Sequence, residues 1–165
     1  MANSFGSFYA DASGGEGDRC KYPTREPNFL KERASAPSDR LKAAERLSKA
    51  GFDVYLRVLP YIPELVEIKA LDASGVRKCL VEFLRVNGFI KGWLEAEGYS
   101  TSHYTQKSGG YRHLPLWKKQ ALIQPFIDAG FELTVCEDVP AHYDYWRQNV
   151  NADPDDCCNL RKESK

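Results

Sequence analysis

No apolar run in these 165 residues approaches the ~20 needed to cross a bilayer. The N-terminus lacks a basic region followed by an apolar core, which argues against secretion, so the chain reads as cytoplasmic with no membrane partner. Net charge is missing too. The 23 Lys+Arg balance 23 Asp+Glu, and overall charge therefore points to no class of partner. The five cysteines, an odd number, do not form the framework of a small disulfide-rich domain. Ala12-Ser-Gly-Gly-Glu-Gly17 is glycine-rich but lacks the spacing and the lysine of a phosphate loop. Residues 1–26 show no sustained period and read as a flexible N-terminal segment.

Acids are absent from one long stretch. Between Gly98 and Ile127 there is no Asp or Glu, yet Lys107, Arg112, Lys118 and Lys119 occur there among Tyr99, Tyr104, Tyr111 and Trp117. Cations interleaved with aromatics can hold phosphates and stack bases. Tyr104, Lys107, Tyr111, Arg112 and Lys118 are therefore candidate nucleic-acid contacts. The plainer reading is a solvated loop turning at Ser108-Gly-Gly110, then an amphipathic helix with Leu116, Leu122 and Ile123 on its buried side. Pro115 suits the start of that helix, and Pro125 is expected to kink or end it.

What is present alternates helix and strand. Leu41, Ala44 and Leu47 recur at helical spacing after Ser38, a candidate N-cap, and Gly51 supplies a left-handed stop. Val54 to Leu59 then alternates as a strand, expected to end at Pro60 and Pro63. A short helix over Val66 to Ala73 precedes a second strand over Lys78 to Arg85, and a helix from Gly88 to Glu97 groups Phe89, Ile90, Trp93 and Leu94. Gly130 separates the later helix from a third strand, Phe131 to Cys136. Pro140 opens a last helix carrying His142, Tyr143, Tyr145 and Trp146.

Strands alternating with helices imply a parallel sheet. One face is wholly apolar, through Val54, Leu56, Val58, Val81, Phe83, Leu133 and Val135. The other mixes Tyr55, Arg57, Leu80, Glu82, Thr134 and Cys136. A doubly wound sheet would have both faces apolar. Helices on one face only, around a polar interior, fit a barrel better, although three strands cannot close one. The expected fold is α/β: a partial (β/α) barrel with a three-stranded parallel sheet and helices on one face.

The run from Pro37-Ser38 through Arg40-Leu-Lys-Ala-Ala-Glu-Arg-Leu-Ser-Lys-Ala-Gly-Phe-Asp-Val-Tyr-Leu-Arg-Val-Leu-Pro-Tyr-Ile-Pro63 resembles the late half of radical S-adenosylmethionine (radical SAM) barrels. The resemblance is to the spore photoproduct lyase-like branch, and Phe83-Leu-Arg-Val-Asn87 and Val135-Cys-Glu-Asp-Val-Pro140 share it. It implies a partial radical SAM-like α/β barrel domain over 27–160, with 161–165 as a tail. It also implies a 4Fe-4S cluster that reduces S-adenosylmethionine to a 5′-deoxyadenosyl radical. The family's cluster loop is a Cys-x3-Cys-x2-Cys run, and none occurs in this sequence. The expectation is thus a fragment or subunit, inactive alone, that takes S-adenosylmethionine and the cluster only when an N-terminal half-barrel chain completes it. In a completed barrel Arg57, Glu82, Arg85 and Asn87 are the expected ligand contacts, because they lie on or just beyond the strand segments whose carboxyl ends form a barrel's active face. The alternative is that Arg57 and Glu82 simply pair with each other inside the barrel.

Cys136, Cys157 and Cys158 are candidate ligands for a second metal site, though adjacent cysteines rarely share one tetrahedral ion. The competing function is a non-catalytic α/β module that binds nucleic acid or a protein partner through residues 98–119.

Overall fold

The computed structural model describes residues 7–8 and 35–151. Its main sheet holds the three expected strands, β2 (Tyr55–Tyr61), β3 (Lys78–Phe83) and β6 (Glu132–Cys136), adjacent and parallel in chain order. A two-residue strand β1 (Ser7–Phe8) adds to the far side of β2, also parallel, opposite Arg57 and Val58. A separate antiparallel hairpin pairs β4 (Gln106–Ser108) with β5 (Tyr111–His113).

The described residues form five α-helices among and after these strands: α1 (Pro37–Lys49), α2 (Ile68–Ala73), α3 (Gly88–Ala96), α4 (Leu116–Asp128) and α5 (Pro140–Asn149). The apolar strand face read from the sequence is the one they cover. Leu56, Val58, Val81, Phe83, Leu133 and Val135 join Cys79 in a single buried cluster with Ala44 of α1, Leu71 of α2, Ile123 and Phe126 of α4 and Trp146 of α5. Tyr61 locks α4 to this face: its ring meets Phe126 edge-on at 5.3 Å, and its hydroxyl donates to the Leu122 carbonyl at 3.2 Å.

The local signals act as their chemistry dictates, with exceptions at Ser38, at Pro60 and along α3. Helix α1 stops where Gly51 adopts φ 85°, a conformation that costs a residue with a Cβ, and Phe52 N–H returns to the Leu47 carbonyl. Ser38 does not cap α1, because the helix begins at Pro37, whose missing N–H is no loss at a first-turn position. Pro60 does not end β2. The strand runs through it to Tyr61, the Leu59–Pro60 peptide is cis, and the register to β3 shifts between Val58 and Tyr61. Pro125 lies inside α4, which continues to Asp128. In α3 only Leu94 is buried, while Phe89 is 84 % exposed and Trp93 is 37 % exposed.

The outer edge of β6 has its own cover. The Asn151 side chain accepts from Val135 N–H at 3.0 Å and donates to the Val135 carbonyl at 3.3 Å, as a neighbouring strand would. Among the described residues, no helix is long and apolar enough to cross a membrane.

Candidate functional site

Arg57 within β2 and the carboxyl ends of β3 and β6 bring charged groups together, and strand carboxyl ends are where parallel α/β sheets place their ligands. Arg57 on β2 and Glu82 on β3 point to the same side of the strands, opposite the main apolar cluster, and Arg57 Nη2 lies 3.5 Å from Glu82 Oε2. Arg85, just past β3, donates to Glu82 at 2.6 Å and to Asp138, just past β6, at 3.0 Å. Glu82 and Asp138 together hold the Arg85 guanidinium above its usual value, the Glu82 hydrogen bond contributing most. The Asp138 carboxylate in turn stands 3.7 Å from His113 Nδ1, whose ring is fixed by Nε2 at 3.2 Å from the Ser108 carbonyl.

One atom in this ladder is unsatisfied. Arg57 Nε is buried and has no hydrogen-bond partner among the described residues. Native structures rarely leave a buried donor so, and such an atom commonly marks a place for a ligand.

A second polar group lies behind the ladder on the helix side. Lys119 of α4 is only 1 % exposed and donates to Glu137, the residue after β6. It also lies 3.2 Å from His142 Nδ1 of α5 and 5.4 Å from the centre of the Phe83 ring. Glu137 accepts from the backbone N–H groups of Asp138 and Val139 at 3.0 and 3.1 Å, and from the Trp146 indole at 3.4 Å. Burial alone would raise the Glu137 carboxyl, but the Lys119 ammonium and the two backbone donors outweigh it and hold it below the usual carboxylate range. Burial lowers the Lys119 ammonium, against the pull of Glu137. Burial and the Lys119 charge likewise lower His142, which stays neutral and able to accept.

His113, Glu137 and Asp138 offer ligand atoms within 4.8 Å of one another. Both carboxylates already face protein cations, Lys119 and Arg85, so the trio is part of an ion-pair network and not a ready metal centre. Lys119 is nearly sealed from solvent, which suits a pin between α4, α5 and the end of β6 better than a nucleophile.

Of the four ligand contacts expected from the sequence, Arg57, Glu82 and Arg85 are thus joined. Asn87 stands apart from them by role: its carbonyl oxygen caps α3, accepting from Ile90 N–H at 2.8 Å. Of the candidate nucleic-acid contacts, Lys107 and Arg112 sit directly opposite one another on the hairpin, both exposed, and Tyr111 is exposed beside them. Tyr104 is partly buried against the core, and burial chiefly raises its phenol to about 12. Lys118 lies over the exposed Trp117 ring, 6.0 Å from its centre. Of the candidate metal ligands, Cys136 is half-buried on the same face as Glu82 and level with it, and Cys157 and Cys158 lie outside the described residues.

The implied iron–sulfur cluster finds no cradle among the described residues. Three thiolates are needed, and the described cysteines are Cys79 and Cys136, on opposite faces of the sheet. Burial pushes the Cys79 thiol up to about 12, the reverse of what a thiolate ligand requires. No family model, curated protein or solved structure matches this chain.

Proposed function

We propose that this chain is the ligand-contacting late part of a partial (β/α) barrel of the radical SAM type, spore photoproduct lyase-like branch, and acts as an enzyme only when a cluster-bearing half-barrel joins it. The observation that carries the reading is the parallel strand set with the Arg57–Glu82–Arg85–Asp138 ladder on one side of it. The buried, unsatisfied Arg57 Nε supplies a donor for a carboxylate or phosphate of the ligand. Asn151 covers the β6 edge, which leaves the β1–β2 side as the place for further strands.

No step of radical chemistry is assigned to these residues. Their role is to bind and orient: Arg57 Nε offers a hydrogen bond to a ligand oxygen, and Glu82 holds both arginines in place. Hydrogen exchange tests the assembly. Mixed with the N-terminal half of a spore photoproduct lyase-like enzyme, the full chain gains protection at its β1 and β2 amides. Unchanged exchange there, with both chains remaining monomeric, would remove the proposal.

A second reading rests on the hairpin. Like charges directly opposite on paired strands disfavour the fold, yet Lys107 and Arg112 hold that arrangement with no acid against either among the described residues. A polyanion such as nucleic acid would relieve it.

A further inference from the structure

A cavity of about 260 Å³ opens beside the 3₁₀ turn Pro63–Leu65 that follows β2, between α3, α4 and the segment 99–104. Part of its wall is aliphatic, through Ile62, Leu84, Leu94, Leu114 and Leu122, and Tyr99, Ser100, His103 and Tyr104 form a polar and aromatic side toward its exposed rim at Glu64. Two side chains of opposite charge, Glu64 and Lys118, line the same cavity, and no hydrogen bond or ion pair joins them to each other or to another described residue. Tyr104, whose phenol Glu64 and burial keep protonated, adds a neutral donor to the lining.

Volume and charge limit what fits. The space lies below the ~300–1,000 Å³ range of drug-sized sites and is too small for a dinucleotide. A simple anion would gain from Lys118 but meet Glu64, and a simple cation would meet the reverse. A neutral apolar molecule would bring its carbon surface against two charges. A molecule with a carboxylate and an ammonium a few bonds apart and an apolar tail answers both charges, Lys118 and Glu64, and sets its carbon surface against the leucines.

We propose that this cavity is a binding site for a free α-amino acid with an aliphatic or aromatic side chain. The carboxylate meets Lys118 and the Tyr104 hydroxyl, the ammonium meets Glu64, and the side chain enters between Leu94, Leu114 and Leu122. The proposal goes beyond the barrel reading and stands without it, because none of these residues belongs to the Arg57 ladder.

Methyl-resolved NMR of the full chain tests it, with L-leucine and L-phenylalanine as probes beside their amides, which lack the carboxylate, and their N-acetyl forms, which lack the ammonium. Saturable shifts of the Leu94, Leu114 and Leu122 methyls are expected with the amino acids, and binding about tenfold weaker for each derivative, as one lost charge contact of ~1.4 kcal/mol implies. Lys118→Met should lower amino-acid affinity to that of the amide, and Glu64→Gln should lower it to that of the N-acetyl form. The derivative series needs no substitution, so a poorly folding variant leaves the test intact. No saturable methyl shift with either amino acid at tens of millimolar overturns the proposal. So does equal binding of the three forms.

Discussion

Replacing Lys119 by methionine isolates the buried ion pair. Methionine preserves most of the aliphatic stem against Phe83 and removes only the ammonium, so the loss is electrostatic and not a cavity. Glu137, with a side chain 3 % exposed, is then left without its countercharge. Breaking one side of a buried pair typically costs 3–5 kcal/mol. Glu137 retains two backbone N–H donors and the Trp146 indole, which places the expected loss at the lower end, about 3 kcal/mol. Glu137→Gln should cost a similar amount by stranding Lys119. The double substitution removes both charges, so its loss should fall short of the sum by about 2 kcal/mol or more. Urea unfolding followed by tryptophan fluorescence and by circular dichroism reads all four proteins, with the slope in denaturant expected to stay constant. If Lys119→Met changes stability by less than about 0.5 kcal/mol, or if the two losses simply add, the pair is not coupled as described.

The same network sets the response to acid. Glu137 has a folded pKa below its ordinary 4.5, so its contribution is present above that value and is lost as pH falls through the lower folded value; Glu137→Gln should flatten that part of the stability curve. His142 has a folded pKa below 6.5, so the unfolded chain takes up the proton first and stability should already decline as pH drops below 6.5, a slope that His142→Asn should reduce. Trp146→Ala, which empties a fully buried site between α5 and the sheet, should cost about 3–5 kcal/mol in the same unfolding assay. For the hairpin, Lys107→Ala with Arg112→Ala should lower the salt slope of duplex DNA binding by about two, and no binding by wild type at low salt would remove the nucleic-acid reading.

The strands were legible because period-two alternation names a face as well as an element. Val81 and Phe83 against Leu80 and Glu82 separate as the sheet requires, and Arg57 and Glu82 share a side. Helix stops at Gly51 and Gly130 were equally plain. Strand β1 carries too few residues to show a period. The hairpin was hidden for another reason: its strands have three residues each and mostly face solvent, so only the Gly109–Gly110 turn, with φ 54° and 79°, marked it. Lys119 was read with the other cations, although Leu116, Lys119, Ile123 and Phe126 follow one helical stripe. A charge set in such a stripe signals a buried partner. Its partners Glu137 and His142 are distant in sequence, and no spacing rule could supply them. Asn87 was read as a ligand contact, yet an asparagine directly before a helix start is an N-cap by its chemistry.

The most direct test of the barrel reading is anaerobic formation of 5′-deoxyadenosine from S-adenosylmethionine, after reconstitution with iron and sulfide. The full chain alone should form none. Its mixture with the N-terminal half of a spore photoproduct lyase-like enzyme should form it, and Arg57→Ala in this chain should abolish the gain. Product from this chain alone, or an unchanged yield with Arg57→Ala, would contradict the account.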